Sequence, residues 1–219
     1  LAIRYDASPE LVLRFGGSKS LVRPKLSNLA PRFTINEDEE AQYGNPNLKP
    51  YSAWNLDLAA EWYFGKNSAL TAGVFYKSIE DFIVKYQDND GGTAYGVDYV
   101  RATSFQNGET AKIKGLELSF AHQFKELPAP LDGLLINANY SYTDATGTIY
   151  NGGDLTDPRD ISLPAASKHN FNVTLGYEKG PLSLRAAGTY RSKYLDEIGD
   201  SAAEDRIVDQ HFQLDLSAT

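Results

Sequence analysis

Apolar and polar side chains alternate along most of the chain with a period of two residues. The pattern is clearest at 53–64, where one face carries Trp54, Leu56, Leu58, Ala60, Trp62 and Phe64. Because successive side chains of a β-strand point to opposite faces, this alternation predicts strands with one apolar and one polar face. No segment shows the 3.6-residue period of an amphipathic helix. Nine strands are predicted, at 1–6, 10–23, 53–64, 69–86, 111–124, 133–144, 167–178, 181–194 and 207–219.

Two all-β architectures fit this alternation. A soluble β-sandwich turns the apolar faces inward, whereas a transmembrane barrel turns them outward to lipid. In an up-and-down antiparallel sheet, every second connector lies at the same end. An outer-membrane barrel has short turns at one end and long loops at the other, so connectors that alternate in length favour the barrel. Short links near 7–9, 65–68 and 179–180, and a somewhat longer one at 125–132, alternate with long links at 24–52, 87–110, 145–166 and 195–206.

Strand length and aromatic placement also favour the barrel. Strands of about 10–12 residues match the 9–11 residues of a tilted bilayer crossing, whereas strands of soluble proteins average about 5–6. Large aromatic side chains near strand ends on the apolar face are expected at the lipid headgroup level, and here they include Trp54, Trp62, Phe120, Phe124 and Tyr190. The polar residues that interrupt the apolar face also lie near strand ends: Ser78, Lys114, His122, His169 and Gln210.

Composition narrows the class of function. The chain has 219 residues, with 21 Lys+Arg against 29 Asp+Glu and a formal net charge of −8. This acidic balance argues against binding to nucleic acid, which needs a basic face. The chain has no Cys and no Met, so no disulfide framework or Cys nucleophile is expected. The missing Met, and a first residue that lies inside a predicted strand, predict an internal fragment of a longer protein.

No catalytic or metal site is predicted. The three histidines, His122, His169 and His211, are far apart in sequence, and the alternation places them on different faces. No nucleophile-elbow, phosphate-loop or dinucleotide motif is present. The chain is therefore predicted not to be an enzyme and to need no cofactor.

Several stretches follow one another along essentially the whole chain, among them Gly44-Asn-Pro-Asn-Leu-Lys-Pro50, Phe75-Tyr-Lys-Ser-Ile-Glu-Asp-Phe82, Lys112-Ile-Lys-Gly-Leu-Glu-Leu118 and Leu163-Pro-Ala-Ala-Ser-Lys-His-Asn-Phe-Asn172. They resemble TonB-dependent outer-membrane receptors, and most closely their Caulobacter/Xanthomonas-type branch. The resemblance implies that residues 1–219 form part of a β-barrel domain, as about nine strands, roughly the twelfth to the twentieth, of a 22-stranded barrel. As a fragment they would form an open, curved antiparallel sheet.

The resemblance also implies location and partners. The chain would lie in the outer membrane of a Gram-negative bacterium, in contact with lipid and lipopolysaccharide, with short turns facing the periplasm and long loops outside. The receptor's plug domain and final strands are expected to lie outside this chain. Energy would come from TonB and its inner-membrane complex through the missing part. The expected cargo is a small-molecule nutrient, and no nucleic-acid partner is expected.

Ligand capture is predicted to fall to the long loops and the upper lumen. Aromatic rings stack on sugar faces, and Asn, Asp and Arg hydrogen-bond hydroxyl groups. On this chemistry and the branch resemblance, the predicted ligand is an oligosaccharide; the alternatives are a ferric siderophore taken up by the same family, or a soluble β-sandwich that binds carbohydrate. The candidate ligand-binding residues are Tyr43, Asn45, Asn47, Tyr95, Tyr99, Arg101, Tyr150, Asp154, Arg159, Arg191 and Tyr194.

The charged side chains of the polar face form a second set of candidates. In a barrel this face lines the lumen, and the resemblance implies that its charges hold the plug through hydrogen bonds and ion pairs. With Tyr63 opposite Thr71 across a tight hairpin, Asp57 would face Lys77, a favourable cross-strand pair. The candidate lumen-wall residues are Asp57, Glu61, Lys77, Glu117, Arg185, Asp209 and Asp215, together with Arg4 and Arg14.

Overall fold

The computed structural model describes residues 1–65, 67–88, 91–151, 157–199 and 201–219. Besides one turn of α-helix, α1 (Leu26–Leu29), and a 3₁₀ turn at Leu131–Gly133, the regular structure of these residues is β. No helix among them is long and apolar enough to cross a membrane. The strands are, in chain order, β1 (Ala2–Asp6), β2 (Leu11–Val22), β3 (Phe33–Ile35), β4 (Glu40–Tyr43), β5 (Tyr51–Tyr63), β6 (Ala69–Glu80), β7 (Ile83–Asp88), β8 (Gly92–Ala94), β9 (Val97–Tyr99), β10 (Arg101–Asn107), β11 (Thr110–Gln123), β12 (Leu134–Tyr150), β13 (Pro158–Ser162), β14 (His169–Lys179), β15 (Leu182–Arg191), β16 (Tyr194–Glu197), β17 (Arg206–Val208) and β18 (His211–Ala218).

One large open sheet dominates the fold. Its strand order is β1-β2-β5-β6-β11-β12-β14-β15-β18, and β13 pairs with the far end of β12. Each pair of neighbours along this path is antiparallel. These nine strands correspond one to one with the nine that the alternation predicts. The predicted all-β, up-and-down antiparallel sheet is therefore confirmed.

The strand boundaries differ from the prediction at a few places. The strand predicted at 69–86 is interrupted by Asp81, whose φ of 58° is a left-handed conformation that Asp tolerates better than most residues. It therefore divides into β6 and β7. β12 extends past residue 144 to Tyr150 because β13 pairs with its last residues. β15 ends at Arg191 rather than at 194, and β18 begins at His211 rather than at 207.

The two ends of the sheet differ as predicted. At one end, here called the short-turn end, the neighbouring strands of the main sheet are joined by links such as 180–181. At the other end, the long-connector end, the chain runs through 23–50, 81–109, 151–168 and 192–210. These long connectors contain small sheets of their own, ordered β3-β4-β10-β7, β8-β9 and β16-β17.

The apolar face of the main sheet is open. Leu56, Leu58, Leu184 and Leu214 are 40–58% exposed, and no second layer of described residues covers them. A sandwich would bury these side chains, so the soluble β-sandwich is not the architecture. Large side chains that stay in contact with the surroundings along a whole sheet face are what a lipid-facing wall requires.

The buried core lies instead at the long-connector end. One cluster brings together side chains from β7, β11, β12, β13, β16 and the link before β7: Phe82, Val84, Ala111, Ile149, Ile161 and Leu195. A second, smaller cluster contains Ala41, Tyr99 and Ala102. Ala111 and Ile149 belong to the polar side of the sheet by the alternation, so the connectors fold over that side and give it a packed rim.

The predicted pair between Asp57 and Lys77 is wrong. Tyr63 pairs with Ala69 rather than with Thr71, because Gly65, with a φ of 76°, closes a shorter turn. The register therefore moves by two residues. Asp57 lies opposite Phe75, and Lys77 lies opposite Asn55.

Candidate ligand-binding site at the long-connector end

The polar face of the main sheet carries the predicted lumen-wall charges. Glu61 accepts a hydrogen bond from Arg14 Nε at 2.6 Å and one from the Tyr63 hydroxyl at 2.9 Å. Arg185 donates to Glu178 at 2.7 Å. The alternation and the register place six of the seven candidates on this face of the sheet: Asp57, Glu61, Lys77, Glu117, Arg185 and Asp215. The seventh, Asp209, lies in the connector before β18.

Four aromatic rings from three segments meet at the long-connector end. The ring centroids of Phe33 and Tyr43 are 6.3 Å apart, and Tyr95 lies 5.9 Å from Phe33 and 6.3 Å from Tyr43. Tyr99 lies 6.4 Å from Tyr43. These four residues are called the aromatic cluster below. Spacings of 4.5–7 Å are those of mutually attractive rings, so the cluster ties the connector 23–50 to the β8-β9 hairpin.

The hairpin turn presents Tyr95 at its tip. Tyr95 has a φ of 52° and Gly96 a φ of 77°, the two positive values that a type I′ turn between antiparallel strands requires. Tyr95 is 56% exposed, so one face of its ring remains open. Three predicted ligand-binding residues, Tyr43, Tyr95 and Tyr99, are thus brought together in one cluster, in which Tyr95 is exposed and Tyr99 is buried.

The phenol groups beneath this surface stay protonated. Burial raises the pKa of Tyr99, helped by hydrogen bonding and charge interactions with Tyr43 and Asp88, and its hydroxyl donates to Asp88 Oδ2 at 3.2 Å. Burial also raises the pKa of Tyr86 to about 12. These groups act as hydrogen-bond donors at neutral pH and do not supply phenolate charge.

Two predicted ligand-binding asparagines differ in role. Asn45 donates from Nδ2 to the Phe105 carbonyl at 2.9 Å and accepts from the Asn47 amide at 2.9 Å, so it holds the turn in place. Asn47 is exposed. Asn107, which the sequence did not indicate, donates to the carbonyls of Lys49 and Asp81 at 3.1 and 2.7 Å. It fastens the connector 23–50 to the connector 81–109.

Arg101 and Tyr150 bond to acidic side chains outside the aromatic cluster. Arg101 makes an exposed ion pair with Glu40 at 2.9 Å. The Tyr150 hydroxyl donates to Glu109 Oε1 at 2.5 Å. Arg191 lies with its guanidinium carbon 4.5 Å from the ring centroid of Tyr194, a cation–π contact at the end of β15. Asp154 lies outside the described residues.

Arg159 has a structural role in the connector 192–210. Its Nη1 and Nη2 atoms donate to the two carboxylate oxygens of Asp205, both at 2.8 Å, and Nη2 also donates to the Gly199 carbonyl at 2.8 Å. The two side chains are only 13% and 14% exposed. Two parallel hydrogen bonds between guanidinium and carboxylate are both strong and geometrically specific. This pair fastens the connector to β13.

Low pH is expected to loosen this connector. Burial raises the pKa of the Asp205 carboxyl, but the hydrogen bonds from Arg159 and the Gly199 amide and the attraction of the guanidinium outweigh it, so the pKa is lowered. The resulting stabilisation is complete above the ordinary Asp pKa of about 3.9 and disappears as pH falls through the lower folded value. The measurement is hydrogen exchange of the Gly199 amide, which donates to Asp205 Oδ1 at 3.0 Å, corrected for the intrinsic rate. Constant protection throughout that acid range would contradict the expectation.

Two cavities open between the connectors. The first has a volume of about 520 Å³ and is lined by Phe82, Lys85, Tyr86, Leu163, Glu197 and Ile198, among others. The second, of about 510 Å³, is lined by Arg159, Lys168, His169, Tyr194 and Asp205, among others. Both volumes lie within the range of small-molecule sites. Lys85 is exposed and makes no ion pair among the described residues.

The first cavity contains none of the predicted ligand-binding residues. Phe82 and Ile198 line it only because the break at Asp81 and the fold of the connector 192–210 bring them together. No local pattern in the sequence predicts a contact between residues so far apart in the chain. Within the described ranges, no group of three or more His, Cys, Asp or Glu side chains is placed to hold a metal ion.

The main sheet is open and antiparallel, with an exposed apolar face, a charged opposite face and all its long connectors at one end. These features define a wall segment of a transmembrane β-barrel. The comparison with family models agrees: residues 1–219 match the family described as TonB dependent receptor-like, beta-barrel. The chain belongs to this family. The family consists of transport receptors of the outer membrane rather than enzymes, and the outer membrane is where the chain resides.

Similar proteins are known by sequence and by structure. The iron-regulated outer membrane virulence protein of Vibrio cholerae is 22% identical over 218 residues, which cover 98% of this chain and 32% of that protein. The ferric enterobactin receptor of Pseudomonas aeruginosa, solved with enterobactin, matches with a TM-score of 0.65 and 16% identity over 99% of this chain and 32% of its own.

A siderophore receptor from Acinetobacter baumannii gives a TM-score of 0.64 at 15% identity, with 99% of this chain and 33% of that chain covered. A copper transporter gives a TM-score of 0.68 at 17% identity, with 99% and 30% covered. At these identities the solved structures establish the fold alone. The chain spans about a third of the length of the relatives it matches.

Proposed function

We propose that this chain forms part of the barrel wall and the extracellular mouth of a receptor that takes up a ferric siderophore across the outer membrane. The observation that carries the proposal is the first cavity, with apolar walls from Phe82 and Ile198 and, at its edge, Lys85, which makes no ion pair with any residue that the structure describes. A small-molecule site is typically mostly apolar, with a few polar groups that fix orientation. Asp196 and Glu197 also line this cavity, but both make ion pairs with Arg206. The Lys85 ammonium group is therefore available to attract a ligand that carries negative charge.

The named relatives support this choice of ligand class. Two of the solved structures are described as receptors for ferric enterobactin or a siderophore, and the V. cholerae relative is described as iron-regulated. The oligosaccharide predicted from the branch resemblance receives no support from these relatives and stays a prediction, as does the branch itself. The exposed ring of Tyr95 would suit an aryl group as well as a sugar face.

The transport mechanism proposed for the whole receptor follows from where it lies. The outer membrane holds no ATP, so inward release of the ligand needs work from another source. We propose that TonB and its inner-membrane complex supply that work through a plug domain outside this chain. The charges of the polar face, such as Asp57, Glu61 and Lys77, would contact the plug.

The test is uptake by cells that lack the full-length receptor, complemented with wild type or with Lys85→Ala. Uptake of iron-55-labelled ferric enterobactin should be lost in the deletion strain and restored by wild type. Lys85→Ala should weaken binding about tenfold, because one charge-assisted hydrogen bond contributes about 1.5 kcal/mol. Lys125→Ala, at the short-turn end, is the matched control and should bind normally. Loss of labelled oligosaccharide uptake in the deletion strain, with iron uptake intact, would overturn the proposal.

A further inference from the structure

The small sheet of β3, β4, β10 and β7 has one buried face and one open face. Ala41, Ala102 and Ser104 are only 4%, 1% and 2% exposed, and the two alanines belong to the second core cluster. Because successive side chains of a strand point to opposite faces, their neighbours Gln42 and Thr103 point away from that core. Gln42 is accordingly exposed and Thr103 half-buried. The sheet therefore presents one of its faces to solvent at the long-connector end.

A row of uncharged polar side chains crosses this open face. Register places Thr34 of β3 opposite Gln42 of β4, and Gln42 opposite Thr103 of β10. Gln87 of β7 lies opposite Thr103 on its other side. These four residues are called the polar row below. Neighbouring strands lie about 4.8 Å apart, so the row offers hydroxyl and amide groups at regular intervals over about 14 Å.

The polar row lines a third cavity, which has a volume of about 440 Å³. The Thr34 hydroxyl donates to the Gln42 carbonyl at 3.3 Å. The side-chain amide of Gln42 and the hydroxyl of Thr103 make no hydrogen bond with any residue that the structure describes. A hydroxyl and a carboxamide each donate and accept hydrogen bonds. These two side chains are therefore available to a ligand whose own groups do both.

The charges around the third cavity favour an uncharged ligand group. Glu40 and Arg101 are the two charged residues that line the cavity, and they neutralise each other in an ion pair at 2.9 Å. Three further acids, Glu37, Asp38 and Glu39, directly precede Glu40 in the chain. An anion would be repelled by this acidic run, and a cation would find no unpaired carboxylate in the lining.

The third cavity adjoins the first one. Gln87 and Thr103 line both, so a ligand held in the first cavity can extend over the polar row. The two cavities differ in chemistry: the first has apolar walls and Lys85 at its edge, whereas the third combines neutral hydroxyl and amide groups with a compensated ion pair. A ligand that fills both needs one part that is apolar and anionic and another that is neutral and rich in hydrogen-bonding groups.

We propose, on the basis of the uptake function proposed above, that the ligand is a glycosylated ferric siderophore whose sugar lies on the polar row. A sugar presents adjacent hydroxyl groups that both donate and accept, as the side chains of Gln42 and Thr103 do. An extended peptide would instead pair its backbone with the edge of a sheet, whereas the polar row lies on a sheet face. The iron-bearing part of the siderophore occupies the first cavity.

The test compares two ligands on the purified full-length receptor: iron-55-labelled ferric enterobactin and its C-glucosylated derivative. Wild type should bind the glucosylated ligand about thirtyfold more tightly, which corresponds to about 2 kcal/mol, the net contribution of two hydrogen bonds. Q42A/T103V should lose this preference while its affinity for ferric enterobactin stays that of wild type. Q213A/T189V is the matched control: it changes another cross-strand Gln–Thr pair that lines none of the three cavities, and it should keep the preference.

Two outcomes would overturn the glycosyl assignment alone: equal wild-type affinity for the two ligands, and a preference that survives in Q42A/T103V. The first needs no variant, so it stays informative if a substitution disturbs folding. Unchanged binding of ferric enterobactin by Q42A/T103V serves as the folding check. Absence of binding by either ferric ligand would overturn the uptake function itself, and the glycosyl assignment with it. Failure of the inference is thus distinguishable from failure of the function on which it rests.

Discussion

Replacing Arg159 by alanine is expected to release the connector 192–210 from β13. The substitution leaves the Asp205 carboxylate, which is only 14% exposed, without its cation, and loss of these charge-assisted hydrogen bonds is expected to cost about 2–3 kcal/mol. Hydrogen exchange of the full-length receptor should report this opening, with protection of the Gly199 amide reduced on the order of a hundredfold. The second cavity, which Arg159 and Asp205 line, would lose its shape.

Two further variants make this prediction specific. Arg206 lies in the same connector and contacts Asp196 and Glu197, with Nη1 at 3.1 Å from Glu197 Oε2, but its side chain is 60% exposed. Arg206→Ala should therefore cost only about 0–1 kcal/mol. The double variant R159A/D205A should cost less than Arg159→Ala, since no buried charge is left alone. Equal effects of Arg159→Ala and Arg206→Ala would contradict the structural role of Arg159.

Replacing Leu58 by arginine is expected to destabilise the whole barrel. Leu58 lies at the middle of β5, between Phe15 and Val74 on the neighbouring strands, and is 53% exposed. An arginine at the midplane of a lipid-facing wall costs about 2–4 kcal/mol. In a soluble protein the same change at a half-exposed site would fall within about 0.5 kcal/mol. The measurement is the free energy of unfolding in urea, with the full-length receptor folded in lipid vesicles.

Leu21→Arg is the matched control for this change. Leu21 lies on the same face, one residue before the end of β2 at the long-connector end, and should therefore reach the interface, where the cost is about 0–1 kcal/mol. The difference between the two sites measures depth in the bilayer. If both substitutions cost the same, the apolar face does not face hydrocarbon, and the transmembrane assignment of the sheet fails with it.

The main sheet could be predicted from the sequence because one periodicity governs it. A strand that crosses a bilayer must alternate along its whole length, so the signal at 53–64 or 181–194 extends over ten or more residues. The register of a hairpin depends on a turn of a few residues. The shorter turn at Gly65 therefore moved Asp57 away from Lys77, although both strands were predicted.

The connectors could not be predicted in the same way. β3, β8 and β9 are three residues long, too short for alternation to mark them. β4 pairs in parallel with β10, about 60 residues farther along the chain, and no local pattern encodes such a contact. These strands hold their places because the connectors pack on one another around side chains such as Phe82 and Ile149.

The candidate ligand-binding residues divide into those that the structure brings together and those whose polar atoms already hold another group. Tyr43, Tyr95 and Tyr99 were chosen for their chemistry, and the structure brings them together. Asn45 and Arg159 were chosen for the same reason, but their polar atoms hold backbone or a carboxylate in place. Sequence chemistry identifies groups that can bind a ligand, whereas only the fold determines which groups already have a partner.

The strict order of the main sheet has a consequence for how the protein assembles. Every strand on the path from β1 to β18 pairs with the next strand of that path along the chain. The hairpins at the short-turn end therefore need only short loop closures, whereas the pairs joined at the other end must close the long connectors. The parallel contact of β4 with β10 instead closes a long loop, whose entropy must be lost before the contact forms. The hairpins at the short-turn end are thus local structures, whereas the small sheet that contains β4 and β10 depends on a contact between residues about 60 positions apart.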